Sequence, residues 1–131
     1  MQVSYSSEMR PAASVIAELY RRSPLYRPVD DVERIASMYE GSNVVLTAWD
    51  GESLVGILRG WSDGTYDGYV CDLAIDPDYQ KAGVGRELLR MATSQNARVQ
   101  WVLRASKIAA EYYGHLGWKK IENGWFWPRE S

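Results

Sequence analysis

Residues 70–89 read V-C-D-L-A-I-D-P-D-Y-Q-K-A-G-V-G-R-E-L-L, and the order of residue types within them decides the architecture. The apolar run that closes at Ile75 has the composition of a buried strand. Asp76-Pro77 breaks it, the turn Gln80-Lys81-Ala82-Gly83-Val84-Gly85 follows, and Val84, Leu88, Met91 and Ala92 then fall on one helical face. The stretch is a strand, a glycine-spaced turn and a helix. At such a turn the first N–H groups of the helix lack intrahelical partners and the dipole adds partial positive charge, which suits a pyrophosphate.

Neighbouring residues separate the kinds of glycine-rich phosphate loop. An NTPase P-loop requires Gly-Lys-Ser/Thr, whereas Arg86 and Glu87 follow Gly85. A dinucleotide fingerprint requires a third glycine at position 88, which is Leu88, and an acidic residue closing the next strand, where Arg104 stands. Both readings fail, and Q-x-x-G-x-G behind a strand of the form L-A-I-D-P-D-Y remains.

Working outward, the period upstream is that of strands. Residues 44–49 and 54–61 flank Asp50-Gly51, a tight hairpin signal, and Asp63-Gly64 and Asp67-Gly68 lead into the strand that ends at Ile75. Before them, residues 8–22 form an amphipathic helix through Ala12, Val15, Ile16 and Leu19, with Ser7 as its cap and Pro11 in its first turn, and residues 2–6 form an edge strand. A second helix carries Val32, Ile35, Ala36 and Tyr39 on one stripe and ends at Gly41. The basic and aromatic link Arg21-Arg22-Ser23-Pro24-Leu25-Tyr26-Arg27 between the two helices reads as a solvated connector. Downstream, residues 99–103 form a strand parallel to the one at 69–75, residues 106–116 a helix, and residues 118–122 and 125–127 a hairpin about Asn123-Gly124. The expected fold is α+β, a mixed, mostly antiparallel sheet with helices on both faces, in one domain spanning residues 1–131.

Composition narrows the function. At 131 residues, 46% apolar with six tryptophans, the chain can fill one core. Fifteen basic and 17 acidic residues leave a net charge of −2, so there is no general attraction to nucleic acid or anionic membrane. The single cysteine, Cys71, lies in an apolar run, and neither a run of about 18 apolar residues nor a basic-then-apolar N-terminus is visible, which points to a cytoplasmic protein. One histidine, His115, and one cysteine build no metal constellation, and His115 reads as a surface residue. Asp72 is an acidic group in an apolar strand, where a carboxylate needs either a partner or a chemical task. A general base and a structural ion pair are both open to it.

The stretch 70–89 resembles the GCN5-related N-acetyltransferase (GNAT) family, and a second block carries the resemblance further. Ser106, Ala109, Tyr113 and Leu116-Gly117-Trp118 fall at the family's spacings, with Ser106 where Asn is usual. The resemblance implies a splayed pair of parallel strands into which acetyl-coenzyme A inserts its pantetheine like an extra strand. It places Leu73, Ala74 and Ile75 at the thioester and pantetheine, through the amides of Leu73 and Ile75. Gln80, Lys81, Ala82, Gly83, Val84, Gly85 and Arg86 would hold the pyrophosphate, and Ser106, Ala109 and Tyr113 would complete the coenzyme site. It also sets the link near Arg27 beside the acceptor.

The implied reaction is transfer of acetyl from acetyl-coenzyme A to a primary amine, favouring a small molecule, by direct attack in a ternary complex. Tyr113 would serve the departing sulfur, and its own reading as a core tyrosine on the face of Ala109 and Leu116 stays open. The ending Gly124-Trp125-Phe126-Trp127-Pro128 resembles that of plant and cyanobacterial arylalkylamine acetyltransferases, and equally suits a strand that packs or forms a homodimer through its aromatic face. A catalytically silent domain that binds acyl-coenzyme A or a protein on the same scaffold is the alternative.

Overall fold

The computed structural model describes residues 2–107 and 109–130. Its five strands, β1 (Val3–Ser6), β2 (Val44–Asp50), β3 (Ser53–Ser62), β4 (Asp67–Ile75) and β5 (Gln100–Leu103), lie in sequence order in one sheet. All neighbours are antiparallel except β4 and β5. Between those two the chain passes through a 3-10 helix (Pro77–Ala82) and α3 (Val84–Ser94), the crossover that a parallel pair demands. Helices α1 (Ala13–Arg22) and α2 (Val32–Glu40) cover one face of the sheet, and α3 with the short α4 (Ala110–His115) covers the other.

Each face has its own core. Ile16, Leu19, Tyr20, Ile35 and Tyr39 pack with Val45, Ile57 and Ala74 beneath α1 and α2. Val84, Leu88, Leu89 and Ala92 pack with Leu46, Val55, Leu58 and Val70 beneath α3. Leu73 and Ile75, which follow Val70 on β4, lie against the second core, whereas Asp72 and Ala74 face the first.

Several boundaries differ from the sequence reading. The first helix begins at Ala13 rather than near Glu8, and Pro11 lies outside it. The hydroxyl of Ser6 accepts from the N–H groups of Glu8 and Met9, Arg10 reaches across to the carbonyls of Tyr39 and Ser42, and a residue before proline disfavours helix. The β2–β3 loop is Gly51-Glu52, one residue later than Asp-Gly, with only Gly51 at positive φ. The last helix starts at Ala110 rather than Ser106, because Ser106 accepts from the N–H of Ala109 in a turn. No hairpin forms about Asn123-Gly124, and residues 117–130 contain no strand. Trp125 and Trp127 are 97% and 94% exposed, and a two-stranded hairpin without a covering layer is at best marginal in water.

Candidate active site

The site begins where β4 and β5 part. Their pairing runs from Asp67 with Gln100 to Val70 with Leu103 and stops. Against β3, Gly60 pairs with Val70 but Arg59 pairs with Asp72, so Cys71 is the extra residue of a bulge at that point. Beyond it, residues 71–75 keep β3 on one side and lose β5 on the other. Asp76 N–H donates to Val55 O at 2.8 Å, and the register runs unbroken from Ile75 back to Asp72. By strand alternation Asp72 and Ala74 therefore bond β3, while the N–H groups of Leu73 and Ile75 point into the open fork. Ala74 does not join them: its methyl is 1% exposed in the core beneath α1.

The fork runs down to the glycine turn. Asp76 caps the 3-10 helix by accepting from Asp78 N–H, and Gly83 then adopts φ 77° and ψ 14°, a left-handed conformation that a side chain would strain. Helix α3 starts there with no side-chain cap, and Glu87 N–H donates to Gly83 O at 3.0 Å, so the preceding N–H groups face outward. Gln80, Lys81, Ala82, Gly83 and Arg86 are exposed around this end, whereas Val84 and Gly85 are buried and anchor it.

Both tyrosines of α4 come to this face, and sequence reasoning singled out only one. A Cβ on Gly85 would meet the hydroxyl of Tyr112 at 2.8 Å and the side chains of Ile75 and Leu73 at 3.6 Å, which places Tyr112 over the base of the fork. The only signal for it in the chain is a second aromatic beside Tyr113. Tyr113 is half-buried, edge-on to Trp118 with ring centroids 6.1 Å apart, and lines a cavity of about 490 Å³ with Trp101 and Leu103. Its hydroxyl makes no hydrogen bond among the described residues, and no buried polar side-chain atom lacks a partner, so that oxygen reaches solvent. Burial raises the pKa of both phenols, which stay protonated donors at neutral pH. Ser106 and Ala109 are tied to each other, the Ser106 hydroxyl accepting from Ala109 N–H at 3.2 Å, and Ser106 is exposed.

On the opposite face Asp72 is the centre of a network that joins four elements and a loop. Arg27, from the connector between α1 and α2, donates through Nε to Oδ1 at 2.6 Å and through Nη2 to the carbonyl of Cys71 at 3.1 Å. Arg59 of β3 donates to Oδ2 at 2.6 Å, and so does the Tyr20 hydroxyl at 2.7 Å, which also meets the Tyr39 hydroxyl at 2.7 Å. Burial alone would raise the carboxyl's pKa. The hydrogen bond and charge of Arg59, the charge of Arg27 and the Tyr20 hydroxyl outweigh it, and the net shift is downward. Asp72 is thus an ionised, fully enclosed acceptor. Burial likewise raises the Cys71 thiol, so it is no activated nucleophile. Of the basic link, Tyr26 is 91% exposed as a solvated connector would be, but Arg27 turns inward.

Away from these residues, Trp125 and Trp127 are too exposed to form a cage around an acceptor, while Arg104 stacks over Phe126 at 4.5 Å. His115 is exposed at the end of α4. Among the described residues no cluster of three or more His, Cys, Asp or Glu could hold a metal, and no helix is long and apolar enough to cross a membrane.

Residues 26–125 match the family model of the acetyltransferase (GNAT) domain. No curated protein matches the chain in sequence. Among solved structures, it is similar to a Staphylococcus aureus protein described as a probable acetyltransferase, with 18% identity, coverage of 98% of this chain and 99% of that one, and a TM-score of 0.83. A GNAT-family acetyltransferase from Streptococcus pneumoniae aligns at 22% identity, 99% and 100% coverage and a TM-score of 0.73. The ribosomal-protein-S18-alanine N-acetyltransferase of Escherichia coli aligns at 19% identity, 92% and 80% coverage and a TM-score of 0.72. At these identities the likeness is one of fold.

Proposed function

Since the chain belongs to the GNAT acetyltransferase family, whose members are acetyl-coenzyme A-dependent N-acetyltransferases, we propose that it transfers acetyl to a primary amine by direct attack within a ternary complex. The observation that carries this reading is the fork: a bulge at Cys71, loss of β5 beyond Val70, and two backbone donors left facing outward just above an uncapped helix N-terminus. Bound there, acetyl-coenzyme A supplies an activated thioester.

The chain's residues divide the work. The amides of Leu73 and Ile75 bond the thioester end and the pantetheine arm, and a donor aimed at oxygen that gains charge during attack is typically worth about 3 kcal/mol. The outward N–H groups at Gly83 to Arg86, with the exposed side chains of Lys81 and Arg86, hold the pyrophosphate. Tyr112 donates to the coenzyme beside Gly85, and Tyr113 offers its proton to the departing sulfur. An ordinary phenol is already a weaker acid than an ordinary thiol, and burial weakens Tyr113 further, so hydrogen bonding from Tyr113 matters more than complete proton transfer.

Asp72 is a positioning group in this reading and not the base. A base must be free to take a proton from the acceptor, and both of its oxygens are engaged by cations or a phenol. Deprotonation then falls to water or to a group other than Asp72.

Thiol release from acetyl-coenzyme A with a panel of amines tests the proposal. Release with at least one amine is expected. Coenzyme binding without release for any amine would favour the silent, acyl-coenzyme A-binding alternative.

A further inference from the structure

The Asp72 network is unbalanced in charge. One carboxylate faces two guanidiniums, Arg27 and Arg59, whose side chains are 27% and 15% exposed, and among the described residues no other carboxylate lies within ion-pair distance of either. Arg10 adds a third guanidinium nearby. It binds the carbonyls of Tyr39 and Ser42, and Ser42 also accepts from Arg59 through its hydroxyl. The partly desolvated surplus is positive, and desolvated charge calls for a partner.

Arg27 is the member of this group that can meet one. Its three hydrogen bonds run from Nε to Asp72, from Nη2 to the Cys71 carbonyl and from Nη1 to the Tyr26 carbonyl, and Nη2 also lies 2.5 Å from Asp72 Oδ1. A guanidinium has five N–H donors, so one, on Nη1, is uncommitted by these contacts. Cys71 is the residue at which the fork opens, so Arg27 stands at its mouth, on the sheet face opposite α3. The coenzyme's own phosphates do not neutralise it. From Cys71 to Ile75, before the glycine turn begins, β4 extends about 13 Å, beyond the screening length of physiological salt. The thioester that reaches the fork is neutral.

We infer that the acceptor is an amine that also carries an anionic group, in the simplest case a carboxylate, which Arg27 binds at the mouth of the fork while the amine faces the thioester. This rests on the acetyltransferase reading above. Arg27 draws the acceptor in and holds it, and Asp72 and the Cys71 carbonyl hold Arg27. The same charge disfavours plain alkylamines, whose ammonium form it repels.

Calorimetry on the protein saturated with coenzyme A tests this without turnover. The titrants are ω-amino carboxylates of two to six carbons, each paired with the n-alkylamine of equal length. At least one carboxylate should bind tenfold or more tightly than its partner, with a ratio that falls as salt rises. Arg27→Gln should bring that ratio near one, and Arg27→Lys should retain part of it. A ratio near one for every pair in the wild type, a ratio indifferent to salt, or a folded R27Q protein with the wild-type ratio would overturn the inference. Thiol release with the same compounds is read separately. Carboxylate preference in binding without release would count against the acetyltransferase reading and leave the Arg27 assignment standing.

Discussion

The two faces of β4 are built in different ways. On the α3 side the candidate site is mostly main chain: the amides of Leu73 and Ile75, the turn at Gly83 and the first N–H groups of α3, all from one continuous stretch. On the α1 side it is side chains gathered from afar, with Tyr20 52 positions and Arg27 45 positions from Asp72. A main-chain site presents the same groups whatever acceptor the enzyme uses. A side-chain network can be re-formed for each acceptor, so in the proposed reading the first face carries the shared chemistry and the second the specificity.

Removing the centre of the side-chain network should have the largest effect. Asp72→Asn leaves Arg27 and Arg59 without a counter-charge, and loss of one partner from a buried ion pair costs about 3–5 kcal/mol. Because the folded pKa of Asp72 lies below its unfolded value near 4, its contribution is complete above that value and is lost as pH falls through the folded pKa. Thermal melts should show a large deficit for D72N at pH 7 that shrinks below pH ~4. Residual activity should keep the wild-type pH profile. Rescue of the rate at high pH would instead make Asp72 a base.

On the opposite face the expected effects concern rate and affinity. Tyr113→Phe should lower turnover about 10- to 1000-fold, with the melting temperature and coenzyme affinity little changed. Gly83→Val places a branched side chain at φ 77°, at a strain of roughly 1–2 kcal/mol, with its Cβ in open space where the phosphates would lie. Coenzyme affinity by calorimetry should fall at least tenfold. Tyr112→Phe is the mildest: a several-fold loss of coenzyme affinity, with turnover at saturation nearly unchanged. If the Y112F and Y113F effects were exchanged, the two tyrosines would have to exchange roles.

The same contrast explains what could be read from the chain. Strand β4, the glycine turn, α3 and the antiparallel meander were legible because their signals are local: Asp76-Pro77, Gly83, and the 3.6-residue stripe of Val84, Leu88 and Ala92. The splaying of β4 from β5 followed from family likeness, whereas the position of the bulge, at Cys71, has no signature in spacing. The partners of Asp72 were hidden, since nothing local distinguishes Arg27 from the solvated arginines beside it. The C-terminal hairpin was misread because Asn-Gly favours a turn only if flanking strands find a layer to cover them, and Trp125 and Trp127 find none.

Amide hydrogen exchange at four neighbouring residues, with and without saturating coenzyme A, tests the fork most directly. If pantetheine adds to the open edge of β4, the amides of Leu73 and Ile75 should exchange fast in the free protein and slow markedly on binding. Asp72 and Ala74, already bonded to β3, should be slow in both states. Equal protection of all four without coenzyme, or coenzyme binding that leaves Leu73 and Ile75 unchanged, would contradict the account.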